Sequence, residues 1–148
     1  MKFEKLKLEN QLCFPVYAAS RLIIREYQPH LDKLGITYPQ YLVLMVLWEK
    51  DRITVNDISQ KLILNTNTVT PLLKRMETLD IIKRQRSNSD ERKVIIELTK
   101  KGKQLESLAA RIPEELAATL IAGPLKIEDL VDLKDNLNAI ITFLSEKK

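Results

Sequence analysis

The stretch Asn65-Thr66-Asn67-Thr68-Val69-Thr70-Pro71-Leu72-Leu73-Lys74-Arg75-Met76-Glu77-Thr78-Leu79 decides how this 148-residue chain is read. Val69, Leu72, Leu73, Met76 and Leu79 recur at helical spacing and make one apolar stripe. The other face carries Asn67, Thr68, Thr70, Pro71, Lys74 and Arg75. It is short and rich in donors, without the Glu/Lys ladder of an ordinary solvated helix. Its hydroxyls and amides can reach base edges, and its cations can reach phosphate or guanine.

The flanks extend this reading in both directions. Upstream, residues 55–63 (VNDISQKLI) form a compact helix with Val55, Ile58, Leu62 and Ile63 apolar. Ile63-Leu64-Asn65 links it to the next helix, with Asn65 or Thr66 as the N-cap. Two helices joined by so short a turn fit a helix-turn-helix. Downstream, two β-branched runs, 81–86 and 94–98, flank the turn cluster Ser87-Asn88-Ser89-Asp90-Glu91-Arg92-Lys93, which signals a hairpin. Val94, Ile96 and Leu98 alternate, so one face of the second strand meets the core. Arg84, Arg86, Arg92 and Lys93 make the hairpin basic. A helix-turn-helix followed by a basic hairpin is a winged helix.

Charge distribution agrees. The chain carries a net charge of +4. Residues 61–103 hold 11 Lys/Arg against 5 Asp/Glu, a net of +6, and the remainder holds 13 against 15, a net of −2. The positive charge therefore sits on the proposed reading head, as a phosphate footprint requires. A content of 45% hydrophobic and 30% charged residues is that of a globular protein. No apolar run approaches a membrane span and the first residues lack a signal-peptide core. A cytoplasmic protein without membrane contact is expected.

The rest of the chain reads as helix. Residues 1–8 are expected to be a partly ordered arm. From Glu9 to about His30, Leu12, Val16, Ala19, Ile23 and Tyr27 step by three and four, with Pro15 near the start and Pro29 at the end. Residues 31–35 add a turn closed by Gly35. The segment 37–50 starts with Thr37 as N-cap and Pro39 in the first turn, and is apolar all round, so it should be central, with Trp48 in the core. Arg52-Ile53-Thr54 can pair with the wing as a third strand. Thr99 caps a long helix that opens with three lysines, bends near Pro113 and breaks at Ala122-Gly123-Pro124. The last helix spans about 126–146, with Leu130, Leu133, Leu137, Ile140, Ile141 and Leu144 as its stripe. The lysines oppose the helix dipole, and are either a solubilising cluster or phosphate contacts. The architecture is thus mainly α with a small β-wing. Apolar helix at both chain ends exceeds what one small core needs, and a second copy would bury it. A two-fold dimer would set two reading helices about one DNA turn apart, ~34–36 Å.

From Ile53 to Gly102 the chain resembles the MarR family of winged-helix transcription regulators. The signs are Asp90-Glu91-Arg92 at the wing tip and Val94-Ile95-Ile96-Glu97-Leu98-Thr99-Lys100-Lys101-Gly102, the family's D-x-R…L-T-x-x-G pattern. Leu12-Cys13-Phe14, residues 37–42 (TYPQYL) and 70–76 (TPLLKRM) are similar to its OhrR-like branch, which senses organic hydroperoxides through one cysteine. The resemblance covers nearly the whole chain. It implies a single MarR-type domain over 1–148, with a winged core at 37–103 and dimerisation helices at 9–34 and 104–146. It also implies a homodimer on an AT-rich inverted repeat of double-stranded DNA. Thr66, Asn67, Thr68, Thr70, Pro71 and Arg75 would then face the major groove. Arg92 would enter the minor groove, where narrow A·T segments attract arginine. Lys74, Arg84 and Arg86 would meet phosphate, and Asp90 would orient a wing arginine. Pro71 deprives the carbonyl of Asn67 of its helical partner, and a local rule broken on the reading face is where function is expected.

Cys13 is the sole cysteine, so no intrachain disulfide is possible. By spacing alone, a lone cysteine is a small buried hydrophobe. Against that, Cys13 lies close to a helix start, whose N–H groups favour an anion, and Tyr17 is one turn away on the same face. The resemblance adds that Tyr27 and Tyr38 of the partner subunit would hydrogen-bond the sulfur. It implies oxidation of Cys13 by a peroxide and capping by a small thiol. Other readings stay open. One is a regulator that binds a small aromatic ligand in the dimer cleft, with Cys13 structural. Another is a thiol peroxidase, against which stand the single His30 beside a turn, the lack of a Cys…His motif and only three glycines. A third is a winged helix that binds protein. No metal or cofactor is expected.

Overall fold

The computed structural model describes residues 2–147 and divides between Ala110 and Arg111 into two compact units. The first unit opens with two 3-10 turns, Glu4–Leu6 and Leu8–Asn10, tied by Asn10 Nδ2 to Glu4 O at 2.7 Å and Gln11 Nε2 to Lys5 O at 2.7 Å. The arm is therefore ordered locally. Its elements are α1 (Cys13–Leu34), α2 (Tyr38–Glu49), β1 (Ile53–Thr54), α3 (Val55–Leu62), α4 (Thr66–Thr78), β2 (Ile82–Arg86), β3 (Val94–Leu98) and α5 (Lys100–Ala109). The second unit holds α6 (Ile112–Ile121) and α7 (Ile127–Ser145).

Three boundaries differ from expectation, each beside a proline. Helix α1 starts at Cys13, not Glu9. A start at Glu9 would bury Pro15 in the helix interior, whereas Cys13 as first residue puts Pro15 in the first turn, where no N–H is needed. At the other end α1 runs through Pro29. The ring costs the Arg25 carbonyl its partner, yet the next turn persists because Leu31 is fully buried. Gly35, at φ 71°, then closes it by donating to Asp32 O while Ile36 N reaches Leu31 O. The long helix expected after Thr99 is two helices, and Pro113 sits in the first turn of α6 instead of bending one continuous helix.

The core of the first unit is built where the apolar spacing put it. Helix α2 is capped by a box in which Gln40 N donates to Thr37 Oγ1 and Thr37 N to Gln40 Oε1. It buries Tyr41, Val43, Leu44 and Leu47. Trp48 is only part-buried, because its indole N–H reaches out to Gly102 O at 3.0 Å. Thr54 and Asp57 form the same kind of box on α3. The sheet has the order β1-β3-β2, all antiparallel, with Ile53 opposite Ile96, Ile82 opposite Leu98 and Arg86 opposite Val94. The expected third strand is thus present, on the far edge of β3 from β2. Ile82, Ile96 and Leu98 face the core and are buried.

Two residues of the stripes expected for α3 and α4 lie outside the core. Ile63 and Leu79 are both exposed. Each follows the last helical residue: Ile63 takes the left-handed conformation (φ 56°) that ends α3, and Leu79 caps α4. Among the described residues, α1 buries only Leu31 and α7 buries none. Leu12 at the N-cap of α1, Val16 and Leu22 on α1, and Leu133, Ile140, Ile141 and Leu144 on α7, stand exposed. Among the described residues no helix is long and apolar enough to cross a membrane.

Candidate nucleic-acid interface and cysteine site

Helix α4 is split cleanly by burial. Val69, Leu72, Leu73 and Met76 are at most 4% exposed. Thr66, Asn67, Thr68, Pro71, Lys74 and Arg75 are exposed, and Thr70 is half-buried at the edge. Asn65 is the cap, its side-chain oxygen accepting from Asn67 N at 2.8 Å. The helix starts on exposed polar residues because the stripe leaves them nothing apolar to join.

The wing stands beside this face. A cleft of about 430 Å³ is lined by Thr66 and Thr70 of α4, Arg84 of β2, Arg92 and Lys93 of the wing turn, and Thr54 to Asp57 at the start of α3. It brings together four of the expected contact residues: Thr66, Thr70, Arg84 and Arg92. Asn67, Thr68, Pro71, Lys74, Arg75 and Arg86 lie outside its walls. Lys93 and Asn56 line it without having been singled out as contacts. The Arg92-Lys93 pair carried that signal for Lys93, whereas nothing local marks Asn56. The Asp57 carboxyl is held below its usual range by hydrogen bonds from the Thr54 backbone and hydroxyl, helped by Lys50 and Lys93.

Each wing arginine is held differently. The Arg92 backbone N–H donates to Asp90 Oδ1 at 3.0 Å and its Nε lies 3.4 Å from the same oxygen, while its side chain remains 93% exposed. Asp90 therefore braces a cation that projects into solvent. Arg86 Nη1 donates to Glu91 O at 3.0 Å and closes the wing turn. Arg84 is bound to Glu77 of α4, through Nε at 3.3 Å and Nη2 at 3.2 Å.

Cys13 is exposed as the first residue of α1. The reading of a lone cysteine as a buried hydrophobe does not hold for it. Tyr17, one turn on, is exposed, and the Arg21 guanidinium stacks 4.5 Å from its ring centre. The other tyrosines form a separate cluster. Tyr27 lies 4.9 Å from Tyr38 and 5.9 Å from Tyr41, and Tyr41 meets Trp48 edge-on at 6.3 Å. Burial pushes the Tyr27 phenol up to about 12, with the neighbouring Tyr38 and Tyr41 adding to the shift. Burial also raises Tyr38. These phenols stay protonated, and so remain donors, across the physiological range. Cys13 and Tyr27 are 14 residues apart on one helix, which is about 21 Å at 1.5 Å per residue. One copy of the chain does not bring its cysteine and its tyrosine cluster together.

These features define a MarR-like winged-helix regulator. A family model described as "Transcriptional regulator SarA/Rot" matches residues 25–107, and the chain belongs to this family of transcriptional regulators. That is a class of regulators, not of enzymes. Over 147 residues, 99% of this chain and 97% of the other, it is 47% identical to the organic hydroperoxide resistance transcriptional regulator of Bacillus subtilis. It is 38% identical to the HTH-type transcriptional regulator MgrA of Staphylococcus aureus, over 95% of each chain. Among solved structures it is similar to reduced AbfR bound to DNA, with 39% identity, a TM-score of 0.75, and 98% of this chain and 100% of that one covered. It is likewise similar to the crystal structure of AbfR of Staphylococcus epidermidis, with a TM-score of 0.74 and 39% identity over 99% of each chain.

Proposed function

We propose that this chain acts as a homodimer that binds an AT-rich inverted repeat and lets go when Cys13 is oxidised by an organic hydroperoxide and capped by a small thiol. Helix α4 enters the major groove with Thr66, Asn67, Thr68, Thr70, Pro71 and Arg75 toward base edges. Arg92, braced by Asp90, reaches the adjacent minor groove. Lys74, Arg84 and Arg86 neutralise phosphate. Residues 37–103 form the winged core, and helices at 9–34 and 104–146 hold the two copies together. The exposed apolar residues of α1, and separately those of α7, favour that assembly, since each helix leaves an apolar stripe that a second copy would bury.

In the redox step the Cys13 thiolate attacks the terminal peroxide oxygen. The O–O bond breaks, the alkoxide leaves and takes a proton as the alcohol, and Cys13 keeps a sulfenic acid. With no second cysteine in the chain, a small thiol attacks the sulfur, water leaves and a mixed disulfide forms. In the dimer, Tyr27 and Tyr38 of the partner subunit surround Cys13, and the bulk of the adduct displaces them. That shift carries the two α4 helices off their one-turn spacing.

The observation that carries this reading is an exposed sole cysteine at the start of α1 in a chain 47% identical to an organic hydroperoxide resistance regulator. The test is a gel shift with reduced protein on inverted repeats. Half-sites one turn apart should be bound as a single cooperative species, with affinity falling steeply as salt rises. Equal binding to one half-site and to two, or binding indifferent to salt, contradicts it.

A further inference from the structure

Glu77 is the one acidic residue in α4, the helix proposed to approach DNA. A carboxylate near a phosphate track is unfavourable on charge alone, so its surroundings are informative. Both of its oxygens are used, and both by the same residue. Oε1 accepts from Arg84 Nε at 3.3 Å and Nη2 at 3.2 Å, and Oε2 accepts from the Arg84 backbone N–H at 3.1 Å. The backbone bond follows from the sheet. Arg84 lies opposite Ile96 on β2, the end strand of the order β1-β3-β2. Its N–H points away from β3, and an outward edge amide needs a partner from another element. Glu77 supplies it from the recognition helix.

The side-chain bonds leave Nη1 of Arg84 uncommitted to Glu77, and Arg84 lines the cleft shared with Thr66, Thr70 and Arg92. A guanidinium fixed through one edge and open along the other is preorganised for an anion.

We propose that Glu77 is a positioning residue for DNA binding: it fastens the base of the wing to α4 and aims Arg84 at a backbone phosphate. This rests on the DNA-binding reading given above. Plain electrostatics and positioning then predict opposite signs for Glu77→Gln. Removing a negative charge from the DNA face would tighten binding, whereas loss of the brace would weaken it.

The experiment measures affinity against salt for wild type, Glu77→Gln, Arg84→Ala, Arg84→Lys and the Glu77→Gln/Arg84→Ala pair on one AT-rich inverted repeat. Thermal unfolding confirms that each variant folds. Glu77→Gln is expected to bind about five- to tenfold more weakly, with a salt dependence flatter by about one counterion per subunit. The double variant should match Arg84→Ala, because the two residues act through one contact. Arg84→Lys keeps the charge but not the fork, and should also weaken binding. Glu77→Gln binding as tightly as wild type or tighter, or Arg84→Lys binding like wild type, overturns the proposal and leaves the DNA-binding reading intact. Wild type with no salt-dependent binding overturns both.

Discussion

Lys101 Nζ, in the first turn of α5, donates to the main-chain carbonyl of Leu79, the C-cap of α4, at 3.1 Å. A lysine at a helix start opposes that helix's own dipole. Here it sits at the negative end of a neighbouring one, where a cation is favourable. Of the two readings open for the lysine cluster, Lys101 takes neither, since it stabilises the end of α4. Lys101→Met should lower stability by about 0.5 kcal/mol, read from urea unfolding midpoints. Lys100→Met should leave it unchanged or raise it slightly.

The same junction explains the glycine of the wing motif. Thr99 Oγ1 donates to Asp80 O at 2.6 Å and accepts from Gly102 N at 3.0 Å. A Cβ on Gly102 would lie 2.2 Å from the backbone oxygen of Ile81. That oxygen also accepts from Thr99 N, so it has little room to move. Gly102→Ala should cost about 3 kcal/mol, seen as a melting temperature lower by roughly 6–12 °C.

Ile63 should be improvable. It is β-branched, exposed and held at φ 56° in the turn between α3 and α4. The turn is closed by Ile63 N to Gln60 O and Leu64 N to Ser59 O, with the Ser59 hydroxyl donating to Leu64 O. An L-residue with a branched Cβ is strained there, while glycine is not. Ile63→Gly should raise stability by about 1 kcal/mol, measured by chemical unfolding.

Tyr27 should make the fold sensitive to alkali. Its phenol titrates near 12 in the fold, against an ordinary 10.0. The folded state thus holds this proton more tightly than the unfolded chain. Its contribution is fully present below about pH 10 and is lost as pH climbs towards 12. Tyr27→Phe should flatten stability across that window. It should also remove the latest step from the ultraviolet phenolate titration.

Most of the fold was legible because burial repeats with a period. Val69, Leu72, Leu73 and Met76 mark the inner face of α4 by their spacing alone, and Ile96 and Leu98 that of β3, while Val94, next in the alternation, is half-buried at the cleft. Helix ends were less legible. Pro15 and Pro113 fix where helices begin through a missing N–H, and Pro29 is overridden by the burial of Leu31. Of the candidate site, residue types and exposure on α4 could be read locally. The Glu77–Arg84 brace could not, since it joins a helix to a strand across the turn at Asp80. The grouping of Tyr27 with Tyr38 and Tyr41 could not be read either, since it joins α1 to α2.

The most direct test compares wild type and Cys13→Ser on an AT-rich inverted repeat, each treated with an organic hydroperoxide and a small thiol. Mass spectrometry identifies the species at position 13, and DNA affinity is measured on the same sample. Wild type should gain the mass of one thiol less two hydrogens per chain and lose DNA, with both effects reversed by a reductant, while Cys13→Ser gains nothing and stays bound. Release of DNA by treated Cys13→Ser, or retention of DNA by fully modified wild type, would contradict the account.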